Sequence, residues 1–235
     1  GLYVNTEAIN FNFLDKHFGE SNGVFFKCEN QDLFGVSGGS LTPNLDYRGM
    51  DSTLYVESYE LKSESGFKEL MDMIYTLNND IDNIENYLNV DRALWYLAVN
   101  SCILNADTYS LVNVRNYYMY QTENGQFQII PWDVSESFIG ALTFWWGDVE
   151  NLYQASPYFG YDPYIEDRPL IYGLLQVDLY KKIYDAHIRT IMNDFINTIY
   201  FEDKVEELGD LSYASAQDDP NTIFGDGYES NVNES

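Results

Sequence analysis

Three polar side chains between residues 105 and 133 have types and spacing that could do chemistry, and two of them, Asn116 and Asp133, could bind one metal ion together. Asp107 lies in a loop, Asn116 precedes a run of aromatic residues, and Asp133 ends the Pro-Trp-Asp triplet. Carboxylate and amide oxygens suit Mg²⁺, which takes oxygen ligands and keeps several waters. We therefore ask which elements would position these three side chains.

A predicted β-hairpin positions two of them. Residues 117–122 and 127–131 are rich in aromatic and β-branched side chains, and Asn124–Gly125 between them is typical of a two-residue turn. With this turn, Asn116 faces Asp133 across the hairpin. Opposed residues have Cβ atoms roughly 5 Å apart. The sequence therefore predicts that these two side chains share one cation.

The order of these features matches a phosphotransferase site. Protein kinases have the same order of features: a helix, a loop with an Asp, an Asn at the start of a hairpin, and an Asp at the end of that hairpin. The first Asp there accepts the proton of the substrate hydroxyl, and the other two residues hold metal ions. The alternative is structural, because Asn and Asp are common in loops, where they bond their own backbone. Spacing alone favours that alternative.

Longer stretches of the chain resemble the CotH kinase family, atypical kinase-like proteins first known from bacterial spore coats. These stretches follow the order of the family along most of the chain: Gly1–Glu7, Phe13–Gly19, Gly23–Lys27, Tyr59–Ser63, Asn105–Asp107, Asn116–Tyr120, Pro131–Asp133 and Arg168–Leu170. The family often has a second Asp two residues after Pro-Trp-Asp. This chain has Ser135 there, so a second metal contact from that position is in question.

The resemblance implies a reaction and a set of roles. ATP and Mg²⁺ or Mn²⁺ would serve to transfer a phosphoryl group to a Ser or Thr hydroxyl of a partner protein. Asp107 would be the catalytic base, and Asn116 and Asp133 would hold the metal. Lys27 and Lys62 would bind the nucleotide, Lys27 at its phosphates.

The role of Lys27 has an alternative and an open question. A lysine at a strand end usually keeps its ammonium group in water, and spacing alone favours that fate; the matching Gly23–Lys27 stretch favours the nucleotide. A kinase lysine also pairs with a glutamate. The candidates are Glu57, Glu60 and Glu64, among which the sequence does not decide.

Composition limits the function further. The 235 residues are 45% hydrophobic and 17% aromatic, which excludes a disordered protein, and the formal net charge is −26. That charge argues against binding nucleic acids or anionic membranes. It also makes a metal ion and a well-placed lysine more necessary for an ATP site. Arg48, one of the few cations, could reach a phosphate, although a surface role is favoured.

We expect an α+β, atypical protein-kinase-like fold with a small mixed lobe, a mostly helical lobe and a catalytic hairpin. The predicted domain covers residues 1–210, with an acidic Ser/Asn/Gly-rich tail at 211–235. The chain begins without Met, so we expect further sequence upstream. The sequence contains no run of eighteen apolar residues and therefore predicts no membrane-spanning helix, and no signal peptide is visible. Cys28 and Cys102 either pair or stay as thiols.

The leading hypothesis is therefore a secreted or spore-surface atypical protein kinase. Residues 140–164 occupy the place of an activation segment and could bind the acceptor, or they could form an irregular core loop held by aromatic side chains. The rival is a non-catalytic module that assembles a coat or surface layer, or binds a glycan or host partner. High acidity, 21 tyrosines and the lack of a kinase Gly-rich loop suit the rival, which gives no reason for Asp107, Asn116 and Asp133 to occur together.

Overall fold

The computed structural model describes residues 6–29, 42–105, 107–110, 114–138, 156–158, 168–196 and 198–218. These residues form a mixed α/β fold with one small antiparallel sheet and six α-helices. In chain order the elements are α1 (Phe11–Phe18), β1 (Phe25–Cys28), β2 (Tyr59–Leu61), α2 (Phe67–Asn79), α3 (Val90–Cys102), β3 (Tyr117–Gln121), β4 (Phe127–Pro131), α4 (Pro169–Gln176), α5 (Asp178–Asp194) and α6 (Thr198–Gln217). Short 3₁₀ helices cover Ser52–Leu54 and Ile81–Asn86.

Several sequence predictions fall outside this range. Most of residues 140–164 lie outside the described residues. The domain boundary at 210 stays a prediction, and helix α6 continues past it to Gln217. None of the helices in the described ranges is long and apolar enough to cross a lipid bilayer. Both cysteines are free thiols.

The four strands are ordered β2-β1-β3-β4, and each neighbouring pair is antiparallel. Side chains alternate between the two faces of a strand. On one face Phe26 and Met119 join the main core, which contains residues of α2, α3, α4 and α5. On the other face Phe25 and Tyr118 join a smaller cluster with Leu14 of α1. The sheet therefore separates two apolar layers.

Helix α1 covers the outer face of the sheet. The Asn10 side chain caps its start by accepting hydrogen bonds from the backbone N–H groups of Asn12 and Phe13, at 2.9 and 3.1 Å. Gly19, with φ of 76°, ends it in the left-handed region. Leu14 is its fully buried residue. The caps define the ends of α1, and Leu14 holds the helix on the sheet together with the partly buried Phe13 and Phe18.

Helix α3 is the central support of the main core. The Asn89 side chain caps it, and residues on most sides of the helix are buried. Helix α5 packs along it, where the His187 ring stacks on Trp95 with centroids 3.9 Å apart. His187 Nε2 also lies 2.8 Å from Asp91 Oδ1. The end of α3 thus gives a rigid start to the loop that carries Asp107.

The predicted hairpin is present, but its predicted register is wrong by one residue. Gln121 pairs with Phe127, and Glu123, Asn124 and Gly125 form a three-residue loop. The Gly125 N–H donates to Thr122 O at 2.8 Å, and Gly125 has φ of 86°. A three-residue loop that ends in a left-handed glycine places one more residue in the turn than a two-residue turn does. The opposed strands therefore slide by one position.

Arg48 is a structural residue and not a surface one. Its side chain is only 8% exposed. It donates hydrogen bonds to Leu54 O at 3.1 Å and Ser58 Oγ at 2.9 Å, and also to Thr42 O and Asn44 Oδ1. The prediction failed because the carbonyl groups that face each other within this irregular segment are not visible in a sequence pattern.

Gly23 precedes β1 where no side chain fits, and this gives a test of the sheet. A Cβ atom at Gly23 would lie 1.9 Å from the backbone oxygen of Gln121. We expect Gly23→Ala to lower the free energy of unfolding by about 1–3 kcal/mol, because backbone must move. Gly173→Ala is the control, since it lies inside α4 with its nearest contact at 3.4 Å and should be neutral or stabilising. Equal effects in urea denaturation would contradict the packing argument.

Candidate functional site

One end of the sheet collects the polar residues of interest. Glu29 directly follows β1, Asn116 directly precedes β3, and Asp133 lies two residues past β4. Cys28 at the end of β1 pairs with Tyr117, and Tyr117 pairs with Pro131 at the end of β4. Because neighbouring strands are antiparallel, the end of β1, the start of β3 and the end of β4 coincide. The loop with Asp107 comes to the same place.

Asp107 is held in a dense set of hydrogen bonds. Arg115 forms a bidentate ion pair with it, from Nε to Oδ1 at 2.8 Å and from Nη2 to Oδ2 at 2.6 Å. Asn116 Nδ2 donates to the backbone oxygen of Asp107 at 2.8 Å and to its Oδ2 at 3.1 Å. The Asp107 side chain is 9% exposed. The structure therefore brings together Asp107 and Asn116 and adds Arg115.

Helix α3 fixes the loop through Asn105. The Asp107 N–H donates to Asn105 Oδ1 at 3.2 Å, and Asn105 Nδ2 donates to Asn100 Oδ1 at 2.9 Å. Asn100 in turn donates to Tyr96 O within α3, at 2.8 Å. The buried side-chain amides of Asn100 and Asn105 thus link α3 to Asp107 by hydrogen bonds and fix Asp107 relative to the helix.

Tyr109 holds the loop on its other side. Its hydroxyl donates to Asn44 O at 2.7 Å and accepts from the Leu170 N–H at 3.0 Å. Arg168 Nε donates to Tyr109 O at 3.0 Å. These bonds tie the loop to the segment before Asp46 and to the start of α4, and they give the Arg168–Leu170 stretch a structural role.

Asn116 and Asp133 are not directly opposed, which corrects the predicted pair. The Trp132 N–H donates to Asn116 O at 3.0 Å, so Trp132 stands opposite Asn116 and Asp133 follows one residue later. Both Asn116 and Asp133 have left-handed backbones, with φ of 61° and 46°. Asn and Asp tolerate this region better than other side chains with a Cβ. The left-handed backbone at these two residues changes the direction of the chain where β3 begins and after β4 ends.

Asp133 is exposed and is oriented by its neighbour. Its Oδ1 accepts hydrogen bonds from the Ser135 N–H at 3.2 Å and from Ser135 Oγ at 2.7 Å. Ser135, which stands where the family often has a second Asp, therefore positions Asp133. In the described part of the chain, Asp133 Oδ2 and Asn116 Oδ1 meet no hydrogen-bond donor. Both oxygens are of the kind that Mg²⁺ or Mn²⁺ binds.

A metal site with three or more His, Cys, Asp or Glu ligands is absent among the described residues. With Asn116 Oδ1 and Asp133 Oδ2 as its protein ligands, a cation would keep most of its waters or take further ligands from phosphate groups. Asn116 and Asp133 are the residues that would hold such a cation.

Lys27 lies at the edge of the same region. Its Nζ is 3.2 Å from Glu29 Oε2, and it stands opposite Glu60 on β2 and Tyr118 on β3. Its pKa is raised: burial lowers it, but the charge of Glu29 and the hydrogen bond to it outweigh burial. The ion-pair partner is thus Glu29 and none of the three predicted candidates. Glu29 could have been found from the two-residue period of a strand.

Lys62 lies just past the edge strand β2. Among the described residues its ammonium group contacts Glu60, and its N–H donates to Phe25 O at 2.8 Å. The structure does not bring it to Asp107 or Asp133.

Arg115 is the residue that sequence reasoning missed. Its pKa is raised, chiefly by the hydrogen bond to Asp107; burial opposes this, and the charges of Asp107, Glu29 and Asp133 add to it. One guanidinium group therefore lies within electrostatic reach of three carboxylates. Its place directly before Asn116 was the available signal.

The fold and the site define a mixed α/β protein with a carboxylate-rich group at one end of a small sheet. A family model described as CotH kinase protein matches residues 1–233, and the chain belongs to the CotH kinase family. Membership indicates, at the level of the family, kinase chemistry with ATP and a divalent metal and an association with spore coats. A comparison with curated proteins finds no match.

Proposed function

We propose that this protein is an atypical protein kinase that transfers the γ-phosphoryl group of ATP to a Ser or Thr hydroxyl of a partner protein. The observation that carries the proposal is the contact between Asp107 and Asn116, with Asp133 following the strand end opposite. A buried Asp bonded to an Asn at the start of a hairpin, with a second Asp after its other strand, has the parts of a kinase site. Family membership supports the same chemistry.

Each residue then has a defined task. Asp107 accepts the proton of the substrate hydroxyl. The hydroxyl oxygen of the substrate forms a bond to the γ-phosphorus, and the bond from that phosphorus to the ADP oxygen breaks. Asn116 and Asp133 would hold a divalent cation, whose chemistry would be to neutralise charge on the phosphates. Arg115 must turn away from at least one oxygen of Asp107 to leave room for the substrate. Lys27 lies at the edge of this group to meet the nucleotide, while Lys62 is a weaker candidate because it lies past the edge strand β2 and is not brought to Asp107 or Asp133.

Local charge explains why a cation is needed. Glu29, Asp107 and Asp133 supply three negative charges, and Lys27 and Arg115 supply two positive ones. A nucleotide triphosphate would therefore meet a net negative site in a strongly negative protein. A divalent cation reverses that local balance.

The wider expectations are part of this proposal. They are a kinase-like fold with a catalytic hairpin, a kinase domain over residues 1–210 with a tail at 211–235, and a location outside the cell or on a spore surface. The family supports the last of these through its association with spore coats.

A second candidate function is a non-catalytic surface or coat module, and one observation favours it. Both carboxylate oxygens of Asp107 are bonded by Arg115, as a purely structural ion pair would be. In that case Asp107 and Arg115 only tie the loop to the sheet. The two candidates differ in whether a nucleotide binds.

Calorimetric titration of ATP with Mg²⁺ or Mn²⁺ tests the proposal. We expect ATP binding that depends on the metal ion and that Asp133→Ala removes, because this change removes one of the two side chains that would hold the metal. Asp203→Ala in α6 is the matched control, since it removes the same charge from an exposed position outside the site. Binding that does not need metal, or that survives Asp133→Ala unchanged, would contradict the assigned role. No binding by the folded protein would favour the structural module.

A further inference from the structure

A second cleft lies at the opposite end of the hairpin from Asp133. It has a volume of about 530 Å³, and its walls come from the end of α1, the first turn of α3, the hairpin turn and β4. Strand β4 has five residues, so the two ends of the hairpin are separated by about 17 Å. The cleft is therefore distinct from the proposed phosphotransfer site.

Arg92 is the main cationic group of this cleft. Its Nε donates to Ile129 O at 3.0 Å, and its guanidinium carbon lies 5.0 Å from the centre of the Phe18 ring. These two contacts fix the plane of the guanidinium group. Within the described residues its terminal nitrogens meet neither a carboxylate nor any other acceptor. A fixed guanidinium with free terminal N–H groups is suited to bind a carboxylate in two-point fashion.

The charge environment of Arg92 is unusual for this chain. Burial lowers the pKa of Arg92, and no ion pair offsets this. Most other cations in the described structure have an acidic partner, including Lys16 with Glu7, Lys68 with Asp72 and Lys204 with Glu207. In a protein with 38 acidic residues, a half-buried arginine that forms no ion pair with the described residues leaves a place for an acid from outside.

Two carboxylates line the same cleft. Glu20 Oε1 accepts a hydrogen bond from the Glu123 N–H at 2.9 Å, which places the two residues side by side. Burial raises the pKa of the nearby Tyr120, and the charges of Glu20 and Glu123 raise it further. Other polar groups of the wall are satisfied within it, since Gln128 bonds both Asn89 and Thr122. The groups left for a ligand are one cation and the carboxylates.

We propose that this cleft binds a free amino acid, with its carboxylate on Arg92 and its ammonium group on Glu20 and Glu123. The cleft has one positive and two negative groups, so basic amino acids such as lysine complement it best. A purely anionic ligand meets repulsion from the two glutamates, and a purely cationic one leaves Arg92 unpaired. The pairing of opposite charges at fixed positions thus selects a zwitterion.

Calorimetry with five probes tests this directly. We expect affinity to fall in the order L-lysine, glycine and then acetate, and L-lysine amide, which lacks the carboxylate, to bind about tenfold or more weaker than L-lysine. These comparisons use the unaltered protein, so they do not depend on the folding of a variant. Equal binding of L-lysine and its amide, or no binding of L-lysine, would overturn the proposal. So would inorganic phosphate binding better than L-lysine, which would indicate a plain anion site.

Variants locate the binding. Arg92→Gln should weaken L-lysine binding about tenfold or more, and Glu20→Gln should weaken it by a smaller factor because Glu123 remains. Arg189→Gln is the matched control, since it removes the same charge from an exposed position on α5. Thermal unfolding of each variant checks that it is folded. Loss of binding in the Arg189 control, or full binding in Arg92→Gln, would refute the assignment.

Discussion

Asp107→Asn is expected to lower phosphoryl transfer by about 10²–10⁴-fold, the usual contribution of a catalytic base. The change keeps the shape of the side chain and removes the oxygen that would accept the proton. Transfer of labelled γ-phosphate from ATP to a Ser-containing test protein measures the effect. Metal-dependent ATP binding should persist, because Asn116 and Asp133 are unchanged.

The ion pair with Arg115 supplies the control for this experiment. Arg115→Met removes the same pair and leaves the Asp107 carboxylate in place. If Asp107 acts only through the pair, both variants lose equal amounts of activity and of stability. If Asp107 is the base, Asp107→Asn loses far more activity than Arg115→Met at a similar cost in unfolding free energy. Equal losses of activity would end the catalytic assignment of Asp107.

Tyr109→Phe is expected to lower the free energy of unfolding by about 2–6 kcal/mol. The hydroxyl of Tyr109 bonds the backbone of two other segments at once, Asn44 O and the Leu170 N–H. Its removal leaves both buried groups without that partner, and each such loss costs about 1–3 kcal/mol. Urea denaturation monitored by circular dichroism measures the change.

Tyr75→Phe is the control for this variant. Tyr75 is 47% exposed, and its hydroxyl has no hydrogen-bond partner among the described residues. We expect its loss to change the free energy of unfolding by less than about 0.5 kcal/mol. A small effect of Tyr109→Phe, similar to that of the control, would show that water replaces the hydroxyl and that the loop is less tightly held than its contacts indicate.

Residue types and the turn signal predicted the hairpin well. The aromatic runs around Asn124–Gly125 are strands. The register was wrong because an Asn-Gly pair fits either a two-residue turn or a three-residue loop that ends at the glycine. Only the hydrogen bond from the Gly125 N–H to Thr122 O distinguishes them. A one-residue error of this kind moves every cross-strand partner, including that of Asn116.

Contacts between distant segments were less predictable. Arg115 and Arg48 both bind groups that the sequence does not mark, an aspartate eight residues back and a set of backbone oxygens. Such partners are set by how irregular segments pack, for which no period exists. Glu29 was overlooked for another reason: the search followed the kinase pattern of a lysine paired with a glutamate outside its own strand. The two-residue period was sufficient to find it.

The position of α1 on the outer face of the sheet has a consequence for how this protein opens. Its anchor Leu14 belongs to a cluster that shares no residue with the main core, so α1 can detach while the other layer stays folded. Hydrogen–deuterium exchange should therefore show α1 amides exchanging well before those of α3. Phe18 and Glu20 lie at the end of this helix and in the wall of the Arg92 cleft. A ligand bound in the cleft would stabilise α1 against local unfolding. Amide exchange in α1 would then slow, while exchange in α3 would not change.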